Sequence, residues 1–175
     1  MAETRRLFFA LWPADHIRQA IVQQTKASWQ DKSKPVKASN LHMTLIFLGN
    51  VTKEKLNDFL YAANKVEAQT FELELNQPGS FRRPQVLWLG CSKTPDALPA
   101  LVSQLGKELA HYGFNSDDKP YVPHVTLARK YKLQDLPDFS CRIQWPVKEF
   151  SLVESKSTAN GVEYSVLQSW SLVDG

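Results

Sequence analysis

The four-letter pattern His-x-Thr-Leu occurs twice in this chain, within LHMTLIFLG at 41–49 and within PHVTLAR at 123–129. Each copy lies in an apolar run flanked by turn-forming residues, which reads as a buried strand. Side chains alternate faces along a strand, so residues i and i+2 point the same way. His42 therefore shares a face with Thr44, and His124 with Thr126. The chain has four histidines in 175 residues, and half of them sit in this pattern. A duplicated imidazole–hydroxyl pair constrains the fold to two similar lobes that share one cleft.

The remaining elements fit such a plan. Arg5–Trp12 is compact and apolar, a buried strand, and Pro13 opens a helix in whose first turn its missing N–H is not needed. Lys34–Ala38 forms a short strand, and Ala38-Ser39-Asn40 a turn. The first motif strand, Leu41–Leu48, stops at Gly49-Asn50. Thr52 then caps a helix whose Leu56, Phe59, Leu60, Ala63 and Val66 form one apolar stripe. Phe71–Leu75 alternates with period two, a half-exposed strand, and Pro78-Gly79-Ser80 reads as a turn. Gln85–Gly90 is a buried strand. A third helix runs from about Asp96 to Tyr112 and ends at Gly113. Val122–Lys130 carries the second motif. Lys148–Ser155 and Val162–Val173 close the chain as a hairpin around Asn160-Gly161. Strands come in adjacent pairs as often as they alternate with helices. The expected class is α+β with antiparallel sheets flanked by helices, one domain over 1–175.

Two facing His-x-Thr strands have a definite chemistry. One imidazole can take a proton from a nucleophile while the other, protonated, gives one to a leaving oxygen. The threonine hydroxyls can hold the non-bridging oxygens of a tetrahedral anion. In-line displacement at a phosphodiester needs groups on opposite sides of phosphorus, which two facing strands supply. His16 and His111 fall on helices and read as surface or packing residues. A metal site would need a third ligand at suitable spacing, and there is no HxH, HExxH or Cys/His cluster. No cofactor is expected.

Composition narrows the class. A net charge of +3 with pI about 8.8 suits an anionic ligand in a local basic pocket better than a coat on long duplex DNA. Cys91 and Cys141 read as buried free thiols of a reducing compartment. The run Leu7–Trp12 is too short for a signal peptide or a membrane span. These features suggest a cytoplasmic, soluble, monomeric protein with no membrane partner.

The paired segments LHMTLIFLG and PYVPHVTLAR resemble those of the 2H phosphoesterase superfamily, and within it the bacterial RNA 2′,3′-cyclic phosphodiesterases, also called 2′-5′ RNA ligases. RRLFFALWP, VLWLG and YSVLQSWSL also resemble segments of that family, so the likeness covers the whole chain. It implies a bilobal fold with pseudo-twofold symmetry. It also implies hydrolysis of RNA 2′,3′-cyclic phosphate ends to 2′-phosphates, with 2′-5′ joining as a second activity. By the family pattern His42 is the proton donor to O3′ and His124 the proton acceptor from water. Thr44, Thr126 and Arg129 bind phosphate. Arg129 falls on the wrong face by strict alternation, so the strand must bulge or end near Ala128. Phe47 falls off the His42 face and reads as core. Phe81, next to Arg82 and Arg83, reads as a rim residue for the nucleotide; Trp88 and Tyr121 are further stacking candidates. The same residues also fit a phosphodiesterase acting on a small cyclic nucleotide or 2′-5′ oligonucleotide, or a non-catalytic RNA-end binding module.

Overall fold

The computed structural model describes residues 2–29, 33–132 and 136–175. The elements in chain order are β1 (Thr4–Leu11), α1 (Asp15–Thr25), β2 (Lys34–Pro35), β3 (Met43–Thr52), α2 (Lys53–Asn64), β4 (Phe71–Leu75), β5 (Gln77–Phe81) and β6 (Val86–Gly90). They continue with α3 (Ala97–Ala110), β7 (Val125–Arg129), β8 (Ile143–Val147), β9 (Glu149–Thr158) and β10 (Gly161–Ser171). The main sheet has the order β10-β9-β1-β3-β7-β6-β5, with β2 beside β7; β4 and β8 form a second, two-stranded sheet. All of these strand pairs are antiparallel. The α+β class is as the sequence suggests.

A pseudo-twofold relates two halves. The unit β1-α1-β3 in one half matches β6-α3-β7 in the other, with the two strands of each unit side by side. β3 and β7 meet through a single pair, Met43 opposite Val125, and these are the middle residues of the two His-x-Thr triplets. The outer strand of each half is contributed by the chain that follows the other: β5 flanks β6, while β9 flanks β1.

β1 shows why an uninterrupted apolar run was needed. Leu7, Phe9 and Leu11 enter the main core with the helices, where Leu98, Leu101, Leu105 and Leu109 of α3 are fully buried. Phe8 and Ala10 enter a smaller cluster on the opposite face, with Val153, Trp12 and Tyr164. A strand buried on both faces cannot alternate with polar residues.

Several expectations need correction. Pro13 precedes the N-cap Ala14 and lies outside the first turn of α1. The first motif strand does not stop at Gly49-Asn50; β3 runs on to Thr52, with Gly49 at φ 78. Thr52 does cap α2, accepting from Lys55 N at 3.4 Å. The segment Ile143–Val147, assigned no element from sequence, is a strand whose Ile143, Trp145 and Val147 are buried. Cys91 is half-buried, whereas Cys141 is buried; both are free. His16 and His111 are exposed, as expected.

Pro78-Gly79-Ser80 is not a turn but the middle of β5. Gly79 is there to make room. It pairs with Trp88, and a Cβ at Gly79 would lie 2.1 Å from the indole Cζ2. The same ring also covers Gly90, where an added Cβ would lie 2.8 Å from it. Gly79→Ala should therefore cost about 2–3 kcal/mol through overpacking. A urea unfolding midpoint that does not move would contradict this packing account.

Candidate functional site

His42 and Thr44 on one side, and His124 and Thr126 on the other, line one cleft of about 800 Å³. The two imidazoles are held alike. His42 Nδ1 lies 2.7 Å from the Asn40 carbonyl, and His124 Nδ1 lies 2.8 Å from the Val122 carbonyl. A carbonyl only accepts, so each neutral ring carries its proton on Nδ1 and leaves Nε2 as the basic nitrogen. His42 Nε2 is 3.0 Å from Thr44 Oγ1, so the hydroxyl donates to it.

The fourth letter of the motif has a structural role. In the pairing of β1 with β3, Ala10 faces Thr44 and Phe9 faces Ile46, which leaves Leu45 as an extra residue. In the pairing of β6 with β7, Trp88 faces Thr126 and Leu87 faces Ala128, which leaves Leu127 extra. The leucine of each His-x-Thr-Leu is thus a β-bulge, and a bulge reverses the alternation beyond it. Leu45 and Ile46 both turn inward, as do Leu127 and Ala128. The residue five places after each histidine then returns to the histidine face. That residue is Arg129 in β7, and it lines the cleft. The strand ends there, with Lys130 at φ 55. The condition stated for Arg129 is met by this bulge. The same bulge overturns the core reading of Phe47, which is 50% exposed and lines the cleft.

Each imidazole is surrounded by aromatic rings. Phe8, Trp12 and Tyr164 stand 4.9, 5.6 and 5.1 Å from the His42 ring, centroid to centroid. Phe81 meets His124 edge-on at 5.0 Å, and Trp88 lies 6.0 Å away. Burial among these rings penalises the charged form. It lowers His42 to a pKa of about 4, against a raising effect from the Asn40 carbonyl; the positive charges of Arg129, His124 and Arg18 lower it further. Burial also lowers His124, with Arg129 adding to the effect and the Val122 carbonyl opposing it. These surroundings favour the neutral form of both rings at neutral pH.

Of the aromatic candidates, Phe47 and Phe81 line the cleft. Trp88 is instead a wall behind His124, and Tyr121 ties the halves together through its hydroxyl, which donates to the Thr44 carbonyl at 2.8 Å. Sequence reasoning missed Phe8, Trp12 and Tyr164, whose alternation on β1 and β10 is visible only once β9 is known to join them. It also missed Asn40. Its carbonyl holds His42, and its side-chain amide donates to the Val162 carbonyl at 3.0 Å, fixing the tip of the β9–β10 hairpin at the cleft edge. Among the described residues, no group of three or more His, Cys, Asp or Glu stands together as a metal site. No described helix is long and apolar enough to cross a membrane.

The sequence model of the 2′-5′ RNA ligase superfamily matches residues 13–159. The chain belongs to that superfamily. Within it, the RNA 2′,3′-cyclic phosphodiesterase of Escherichia coli K12 is 32% identical over 174 residues, covering 98% of this chain and 99% of its own. The protein of that name from Thermus thermophilus is 34% identical over 180 residues, 95% of this chain and 90% of its own. The crystal structure of E. coli LigT complexed with 3′-AMP matches with a TM-score of 0.90 at 31% identity, over 97% of this chain and 99% of that one. The superfamily likeness thus extends beyond the two motifs to both halves of the fold.

Proposed function

We propose that this chain hydrolyses RNA 2′,3′-cyclic phosphodiester ends to 2′-phosphomonoesters by two-histidine acid–base catalysis. One observation carries the reading. Two imidazoles, each with Nδ1 committed to a backbone carbonyl, reach a single cleft from strands related by a pseudo-twofold. That arrangement is suited to a proton transfer on each side of one phosphorus. The names of the E. coli and T. thermophilus relatives support the same substrate class.

In the proposed reaction a water oxygen attacks phosphorus and its proton passes to His124 Nε2. The P–O3′ bond breaks, and His42 delivers its Nε2 proton to O3′. The phosphate stays on O2′. Thr44, Thr126 and Arg129 hold the non-bridging oxygens, the guanidinium by charge-assisted hydrogen bonds. When His42 is protonated, Nε2 no longer accepts from Thr44 Oγ1, which frees the Thr44 hydroxyl proton for the phosphate and the Nε2–H for O3′. Phe47 and Phe81, one from each half, offer the aromatic faces on which a base stacks. A 5′-hydroxyl in place of water would give a 2′-5′ linkage by the same steps. These steps require neither a metal nor a covalent adduct. Both His-x-Thr pairs belong to one chain, so the proposed steps need no residue from a second copy. Two free thiols favour a reducing, cytoplasmic compartment.

The test is product identity. An RNA ending in a 2′,3′-cyclic phosphate should yield a 2′-phosphate, resolved by NMR or by resistance to 3′-phosphatase. A 3′-phosphate product would overturn the leaving-group assignment. Binding of a 2′-phosphate nucleotide without turnover would make the chain a binding module.

A further inference from the structure

The pseudo-twofold makes the two ends of the cleft comparable, and they differ in charge. At one end, Phe81, Val86, Arg129 and Lys34 form one continuous cross-strand row over β5, β6, β7 and β2. All four line the cleft. The equivalent row in the other half is Val153, Phe8 and Phe47 over β9, β1 and β3, and it is apolar throughout. Arg129 stands where Phe47 stands, each five residues after its histidine. Lys130, the next residue, also lines the cleft, whereas its counterpart is Leu48. The turn after Phe81 adds the exposed Arg82 and Arg83. Among the described residues, no aspartate or glutamate lines the cleft. Arg6, over the Phe47 ring at 4.8 Å, and Lys37 also line the cleft, so cations are denser at the Arg129 end rather than confined to it, and that bias gives the shared frame a direction.

We infer that the cationic end is the exit path for the RNA strand: Lys34, Lys130, Arg82 and Arg83 hold backbone phosphates of nucleotides 5′ to the cyclic end. Neighbouring strands are about 4.8 Å apart, so the four-strand row spans roughly 14 Å, more than a terminal phosphate occupies. The site takes a single strand, because the terminal nucleotide must leave any duplex to enter the cleft. The apolar Phe8–Phe47 end receives the terminal nucleoside. This inference rests on the proposed phosphodiesterase reading and adds what lies beyond the reacting nucleotide.

The test compares adenosine 2′,3′-cyclic phosphate with an RNA hexamer ending in the same group. For the combined variant Lys34→Ala and Lys130→Ala, kcat/KM on the hexamer should fall about tenfold or more. Activity on the mononucleotide should stay within about twofold. The slope of log kcat/KM against log salt should flatten for the hexamer by about one, as two phosphate contacts on a single strand require. Arg82→Ala with Arg83→Ala should act in the same direction. Equal losses on both substrates, or an unchanged hexamer, would overturn the path. A binding measurement separates this from the reaction itself. A labelled hexamer ending in a 2′-phosphate should bind wild-type protein more tightly than adenosine 2′-phosphate does, by a margin that disappears in the lysine variant. If wild-type protein turns over neither substrate, the phosphodiesterase reading fails while this binding result still decides the path.

Discussion

Replacing either His42 or His124 with alanine should lower kcat by about a thousandfold, with the fold intact. The size follows from losing general acid or base assistance, which contributes about 10²–10⁴ in rate, or about 4 kcal/mol of barrier for a thousandfold loss. The two losses should not add. A displacement that has lost its base gains little from a remaining acid, so the double variant should fall only slightly below either single one. Circular dichroism and thermal midpoints close to wild type would separate lost chemistry from lost folding. A single variant that keeps more than about a tenth of the rate would remove that histidine from proton transfer.

The second large effect concerns protons and anions. The aromatic surroundings hold both imidazoles neutral, with the His42 pKa at about 4, yet the proposed reaction needs one protonated ring. The anion itself must supply the driving force, so binding takes up a proton. Between the free pKa and the raised bound one, the bound state holds more protons than the free state, so affinity falls as pH rises. Sulfate is a suitable probe because it does not titrate in this range. Its dissociation constant should rise with pH above the free His42 value, by up to about tenfold per pH unit. Calorimetry in buffers of different ionisation enthalpy should report uptake of about one proton. His42→Gln should flatten the dependence. An affinity independent of both pH and buffer would show that the rings stay neutral when an anion binds. The two rings titrate as a coupled pair, so these data report the pair rather than either residue.

Much of this was legible in the sequence because it depended on local periodicity. The stripe Leu56–Ala63, the Thr52 cap and the Asn160-Gly161 hairpin each need only neighbouring residues, and the structure has all three, although α2 ends at Asn64 and leaves Val66 beyond the helix. The failures have one kind of cause: a distant residue decided the local conformation. Pro78-Gly79-Ser80 looks like a turn until Trp88 is placed against Gly79. Gly49-Asn50 looks like a strand end until Leu7 and Arg6 of β1 pair with it. Phe47 was misplaced by counting faces through Leu45. Arg129 met the same count and exposed the contradiction, because its expected role required the histidine face. The two copies share one motif, so the bulge that Arg129 requires at Leu127 implies one at Leu45 as well. The aromatic surroundings of His42 were out of reach, since Tyr164 arrives from more than a hundred residues away.

The exchange of outer strands between the halves has a consequence for how the molecule is made. Strands β5, β6 and β7 follow one another directly along the chain, with only α3 interposed, so the half bearing His124 can assemble as its residues leave the ribosome. The half bearing His42 cannot. Its β1 must wait for β9, and its imidazole for Tyr164, both of which follow β7 and β8 in the chain, within 149–171. Loop closure over so long a separation is slow. The protein therefore completes its two histidine pockets in the reverse of their order in the sequence, and the surroundings of His42 stay unfinished until β9 and β10 have been made.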